Sequence, residues 1–408
     1  MPNGEPVVAK ESAAASPPIL ERWGVRYFRN LSRDVKVVDV DGVNYLNPEE
    51  RKALATVARG AIVRAGVAGT LSTVVSATAE VLANPLIASS GGAPAPWSMT
   101  LRFWLIVLGA TTLASIIEIA YLYWDGLRAV HRMAVVAGLD LFGEVSSEAG
   151  PTDDERAAVA AGLARAALEL PNPAGHVFGV NPHRHASRLQ LVLASLVYKL
   201  KISVTSFLVK ALVRRALGRT ALRGWLDALV PFAAVPVTAA WNAIVAWLVL
   251  REARIRTMGP SAAAELTGIV LDDAGALTEP CRQTLFRAVA SSMVRTEDLH
   301  PNLVALLAHV AKRLDLVAIV ESDHLDLGDP ARFLSALRDL DDEERKLCLR
   351  MLCVAAILDG RVTRKERALI EQAFAMSGLA PKQGVLSSLR RSFVRGDQIP
   401  KERVLSLA

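Results

Sequence analysis

Few residues in this chain have the types and spacing that chemistry requires. His176, His183 and His185 form one group. A His-x-His pair with a third histidine nearby offers nitrogen ligands of the kind zinc or copper takes. No cysteine or further histidine lies near enough in sequence to complete the set, so a loop of exposed histidines is the preferred reading. Arg64 and Glu118 form a second group, ionisable residues within long apolar stretches. The third is Asp359-Gly360-Arg361-Val362-Thr363-Arg364-Lys365-Glu366. Its aspartate could support a cation, but an EF-hand needs oxygen ligands at alternate positions and a glutamate at the twelfth. Those are missing, so a structural turn is preferred. The chain has no P-loop, G-x-S-x-G, H-E-x-x-H or dinucleotide fingerprint.

Composition bounds what could position these groups. Hydrophobic residues make up 52% of the 408, above an ordinary soluble protein, while aromatics are only 5%. The excess is Ala, Val and Leu, which favours helices over sheets. The net charge of +6 is modest. The densest basic cluster, Arg214 to Arg223, lies beside an apolar stretch, which points to lipid and away from nucleic acid. Three cysteines, Cys281, Cys348 and Cys353, without a C-x-x-C, read as reduced buried thiols. Met1 to Pro18 reads as disordered and has no apolar core of a signal peptide, so an internal segment is expected to do the targeting.

Val35 to Leu46 reads as a short hairpin turning at Asp41-Gly42. Asn47-Pro48-Glu49-Glu50 then supplies an N-cap, a first-turn proline and a carboxylate at the third helical position. The helix that follows becomes apolar from Ala65 and is crowded with Gly66, Gly69, Thr70, Ser72 and Ser76. Small residues of this kind let backbones approach closely in lipid. A charge-free loop over 88–100 leads to a second apolar stretch, Phe103 to Tyr123, rimmed by Trp104, Tyr121, Tyr123 and Trp124. Counting basic residues predicts a membrane hairpin with both ends in the cytoplasm. Arg64 and Glu118 are expected to lie close, as a structural ion pair.

Thr152 and Glu155 read as a capping box opening a helix over Asp153–Leu170. Leu189 to Leu217 is apolar but carries Lys199, Lys201 and Lys210; an interfacial helix with snorkelling lysines and a soluble-core helix both fit. Ala228 to Leu250 has no charged residue and is long enough to span a bilayer. A single crossing would export Arg251, Arg254, Arg256 and the reduced-cysteine region beyond. With Pro231 and Pro236 as breakers, a re-entrant or membrane-inserted hairpin is preferred.

Beyond residue 258 the pattern is that of a packed helical bundle. Helices are predicted near Glu279–Val294, Asn302–Arg313, Pro330–Arg338, Asp342–Leu358, Arg364–Met376 and Pro381–Val394. One signature recurs: Val270 to Arg282 and Ile357 to Arg367 each read as a helix ending at Asp and Gly, an apolar plug, and a threonine cap. Thr363 with Glu366 forms a capping box.

The second of these, with Asp359, Gly360, Val362, Thr363 and Glu366, resembles the motif of the tellurite-resistance TerB-like helical domain. The resemblance covers about 342–394. It implies an all-helical domain, often fused to membrane segments, with acidic metal-associated sites in some members. Of those acidic ligands only Asp359 and Glu366 have counterparts here. The layout also resembles bacterial inner-membrane proteins that carry such a domain at the C-terminus.

The expected fold is therefore all-α, in five parts: an N-terminal cytoplasmic segment to 58, a transmembrane hairpin over 59–125, an interfacial helical region over 126–218, a hydrophobic hairpin over 219–258, and a cytoplasmic TerB-like bundle over 259–408. The expected function is a non-enzymatic scaffold or adaptor at the bacterial inner membrane, in envelope stress, acting through the C-terminal bundle. The alternative is an oligomeric channel or transporter subunit using Glu118, Arg64 and Asn242. The expected partners are the lipid bilayer and a protein or second copy of the chain, with no nucleic acid and no cofactor.

Overall fold

The computed structural model describes residues 18–33, 46–87, 96–142, 153–173, 177–178, 180, 232, 234–272, 275–316 and 328–408. The tail over 1–17, the hairpin expected over 35–45, the Thr152–Glu155 capping contact, the three histidines and the 189–217 stretch lie outside them. Among the described residues the fold is all-α, and Val177 with Val180 makes the only extended pairing.

In chain order the helices are α1 (Ile19–Ser32), α2 (Pro48–Ala83), α3 (Trp97–Val136), α4 (Asp153–Ala167), α5 (Val235–Leu271), α6 (Glu279–Thr296), α7 (Pro301–Arg313), α8 (Pro330–Arg338), α9 (Asp342–Leu358), α10 (Arg364–Met376), α11 (Gln383–Arg395) and α12 (Lys401–Leu405). Their starts follow from local chemistry. At α2, Asn47 and Glu50 satisfy each other's backbone N–H, at 2.9 and 2.8 Å. Asp329 caps α8, and Asp341 caps α9 by accepting from the N–H groups of Glu343 and Glu344. Pro48, Pro301 and Pro330 open their helices, where the missing N–H costs nothing.

The chain divides into two compact units. One comprises 1–53, 133–187 and 251–408. Its centre is the packing of α6 against α9, where Phe286, Leu285, Met293, Leu349, Leu352 and Ile357 are fully buried. The helices α8 and α10 pack on α6, and α11 packs on α9. Within the same unit α1 packs on α4, and Glu21 and Arg165 make a buried ion pair between them.

The other unit comprises 54–132 and 188–250. Its described part is built from α2, α3 and the first sixteen residues of α5. Here the burial pattern is inverted. Leu105, Leu108, Leu113, Ile116 and Ile117 on α3 are exposed, as are Val63, Val67, Leu71 and Val75 on α2. The segments Pro48–Leu86 and Trp97–Val136 are long and apolar enough to cross a membrane. A soluble core helix would bury such a stretch, yet none of the most apolar part of α3 is buried.

Of the hydrophobic hairpin expected over 219–258, residues 219–231 lie outside the described residues. Residues 235–258 lie within the single helix α5, which continues to Leu271. Pro236 stands in its first turn, where proline is compatible with a helix, and does not break it. No turn falls in that half of the segment.

Candidate functional site

Two polar clusters stand out against these apolar surroundings. The first surrounds the Asp359–Glu366 motif. The helix α9 ends at Asp359, and Gly360 follows with φ of +70°. A side chain there would be strained, and a Cβ would also stand 2.6 Å from Ile255 Cδ1 of α5. The chain then enters α10 through the capping box: Glu366 N–H donates to Thr363 Oγ1 at 3.1 Å, and Thr363 N–H donates to Glu366 Oε2 at 2.9 Å. Ser292 of α6 donates to the other carboxylate oxygen at 2.8 Å.

The earlier copy of the signature is braced in the reverse sense. Thr278 caps α6 by accepting from Cys281 N–H. Its own N–H and hydroxyl donate to Glu344 Oε1 of α9, at 3.0 and 2.7 Å. Each threonine turn is thus tied to a helix of the other. Asp273 and Ala274 lie outside the described residues.

Asp359 and Glu366 are both buried. Burial, with the Glu366 charge second, pushes the Asp359 carboxyl up to about 8, against the hydrogen bond from Arg361 N–H. Burial also raises Glu366, although Thr363 and Ser292 hydrogen bonds oppose it. Glu366 accepts from Thr363 N–H and the Ser292 hydroxyl, whereas Asp359 accepts from Arg361 N–H.

A histidine–carboxylate network adjoins the motif. Glu252 of α5 accepts from His300 Nε2 and Arg256 Nε through Oε1, each at 3.0 Å, and from Arg361 through Oε2 at 3.3 Å. Burial is the largest single effect on Glu252 and acts upward. The hydrogen bond from His300, with the Arg256 and Arg361 charges, outweighs it and holds the carboxyl below its usual range. His300 Nδ1 accepts from Asn302 N–H at 3.3 Å, which assigns the proton to Nε2. Asn302 in turn donates to the carbonyls of Ile255 and Leu358, at 3.0 and 2.8 Å. Arg256 also reaches the Gly162 carbonyl at 2.7 Å. The network therefore joins α4, α5, α7, the end of α9 and the turn that leads to α10. Most of its donors and acceptors are committed to one another, while Asn302 Oδ1 is buried without a hydrogen-bond partner.

The second cluster lies among α2, α3 and α5. Arg64 Nε donates to Asp125 Oδ1 at 2.9 Å. Glu118 accepts from Asn242 Nδ2 of α5. This corrects the expected Arg64–Glu118 pair. Glu118 stands two helical turns, roughly 10 Å, from Asp125 along α3, so each finds its own partner. Gly69 lies against Asn242, and a Cβ there would stand 2.6 Å from Nδ2 and 3.0 Å from the Thr238 carbonyl. Gly66 faces the Ala239 carbonyl. The small residues of α2 serve the close approach read from sequence. Hydroxyls of Thr70, Thr73, Ser76 and Thr238 return to carbonyls four residues earlier, so these four donors are satisfied within their own helices.

The sequence reading missed Glu252, His300, Asn302 and Ser292. A signal existed for His300, since it precedes Pro301 as an N-cap residue precedes a first-turn proline. For Glu252 the sequence offered only the i,i+4 spacing to Arg256; its other partners lie 48 and 109 residues away. The cysteines are buried as read. Burial and the neighbouring Cys281 thiol raise Cys348 well above a free thiol, and burial pushes Cys353 up to about 12. No group of three or more His, Cys, Asp or Glu side chains suited to a metal occurs among the described residues. No family model, no curated protein and no solved structure matches this chain.

Proposed function

We propose that this protein is a membrane-anchored, non-enzymatic scaffold of the bacterial inner membrane. In this reading α2 and α3 cross the bilayer, the loop between them faces outward, and the helical unit containing α6 to α12 lies in the cytoplasm and binds a protein partner or second copy. That unit is the part that resembles a TerB-like domain. The observation that carries the reading is the exposed apolar surface of α3, which needs lipid to cover it. The committed hydrogen bonding around Glu252 and Asp359 supports a rigid binding module over a reactive centre.

Alkaline extraction of membranes tests the anchoring: the protein should stay in the pellet. A cysteine placed at Gly92 on a cysteine-free background should label with an impermeant maleimide only from outside. Release into the supernatant, or labelling only from the cytoplasm, would overturn the proposal.

A channel or transporter subunit is the second reading. It is favoured by Glu118, an ionisable group hydrogen-bonded within the apolar unit. Ion flux through reconstituted liposomes that vanishes with Glu118→Gln would replace the scaffold by this reading.

A further inference from the structure

Arginines from three elements gather around Gly360. The glycine lies against Ile255 of α5 and Val394 of α11. Residues four apart share a helix face. One turn before Ile255 is Arg251, which donates to the Gly360 carbonyl at 3.2 Å. One turn before Val394 is Arg390. Arg361 follows the glycine directly and extends a largely exposed side chain. Arg254 follows Arg251 on α5, and its Nε is buried without a hydrogen-bond partner. We propose that Arg251, Arg254, Arg361 and Arg390 form a binding site for a phosphate-bearing anion.

The charge balance supports this. Burial first, and then the Arg361 and Arg390 charges against the opposing Glu252 and Asp359, lower Arg251. Burial and the Arg251 charge lower Arg254. Of the two acids in reach, Glu252 is already shared among His300, Arg256 and Arg361. Asp359, pushed up to about 8, keeps its proton at neutral pH. The arginines therefore face a deficit of negative charge at one point. Guanidinium forks match the oxygens of a phosphate and are weakly enough hydrated to cluster around one. A convergent group of this kind suits a compact anion better than the extended backbone of a nucleic acid. Arg251 directly follows the charge-free run that ends at Leu250, so a phospholipid headgroup is one source of the phosphate and a soluble phosphate is the other. The site does not depend on the membrane reading, because a soluble phosphate would fill it without a bilayer.

The test uses the full chain in a neutral maltoside detergent. Thermal stability is followed against inorganic phosphate and, separately, against short-chain phosphatidylglycerol, with chloride at matched ionic strength as reference. At least one phosphate probe should raise the midpoint saturably. Arg390→Gln and Arg361→Gln should each weaken that binding roughly tenfold, while Arg332→Gln on α8 should not change it. Because Arg251 holds the Gly360 carbonyl, its own substitution is a folding risk, and the two outer arginines carry the result. A response to the lipid alone assigns the headgroup; a response to inorganic phosphate shows that the anion suffices. No saturable response to either probe, or responses that Arg390→Gln and Arg361→Gln leave unchanged, would overturn the site.

Discussion

Gly259 of α5 and Asn302 of α7 occupy almost the same space: a Cβ at 259 would stand 1.9 Å from Asn302 Oδ1. Only glycine lets the asparagine reach the carbonyls of Ile255 and Leu358 together. Gly259→Ala should displace Asn302, combining overpacking with two lost hydrogen bonds. A loss of about 2–4 kcal/mol is expected in chemical denaturation. Asn302→Ala should cost less, and the double variant less than the sum, because both act through one contact.

Glu252 joins three cationic or donor groups in a buried setting. Glu252→Gln should destabilise the unit by about 2–4 kcal/mol at pH 7, since it leaves Arg256 buried beside a neutral group. The carboxyl is held below its unfolded value, so its contribution is present above the unfolded pKa and is lost as pH falls through the folded one. The gap between wild type and variant should therefore narrow under strongly acidic conditions. A gap that stays constant down to the acid-unfolding limit would show that packing, not charge, is responsible.

Asp359 has the opposite sign. Its folded pKa is raised to about 8, so the folded state holds a proton that the unfolded chain has lost. Stability from this group falls as pH rises from the unfolded carboxylate range to about 8. Asp359→Asn can still accept from Arg361 N–H and carries no charge. It should raise the melting midpoint at pH 8 by several degrees, roughly 2–4 °C per kcal/mol gained, and by less at pH 5. Melting curves at both pH values check this, and an equal effect at the two would refute the protonated assignment.

Glu118 and Asn242 link α3 to α5. Asn242→Leu should cost roughly 0.6–1.7 kcal/mol in micelles, the range of hydrogen bonds between helices in lipid-like surroundings. Combining it with Glu118→Gln should add little, since the first change already removes the pair. Additive losses in a double-mutant cycle would separate the two residues.

The cysteines should be silent until the fold opens. A thiol reagent should find none of the three in the native protein and all three in denaturant. Labelling of Cys348 and Cys353 should follow the unfolding rate. Fast native labelling of either would contradict the packing of α6 against α9.

The sequence alone determined where several helices of the C-terminal region begin and end, because those signals are local. Pro330–Arg338, Asp342–Leu358 and Arg364–Met376 have the bounds read from caps and periodicity. The Thr363–Glu366 box and the Asn47–Glu50 cap need only residues three apart. The apolar stretches of α2 and α3 were equally legible, since length and charge suffice to recognise them. Tertiary structure alone decided which charge meets which. Arg64 chose Asp125, two turns from the expected Glu118, because an ion pair depends on the level at which two helices cross. Glu252 met His300 and Arg361, and Asn302 closed the ends of distant helices, because a buried polar group is costly unless paired and takes its partner from wherever in the chain one comes within reach. The grouping of 133–187 with 251–408 in one unit has the same origin: faces that pack are chosen by shape and polarity in three dimensions, and no spacing along the chain records that choice.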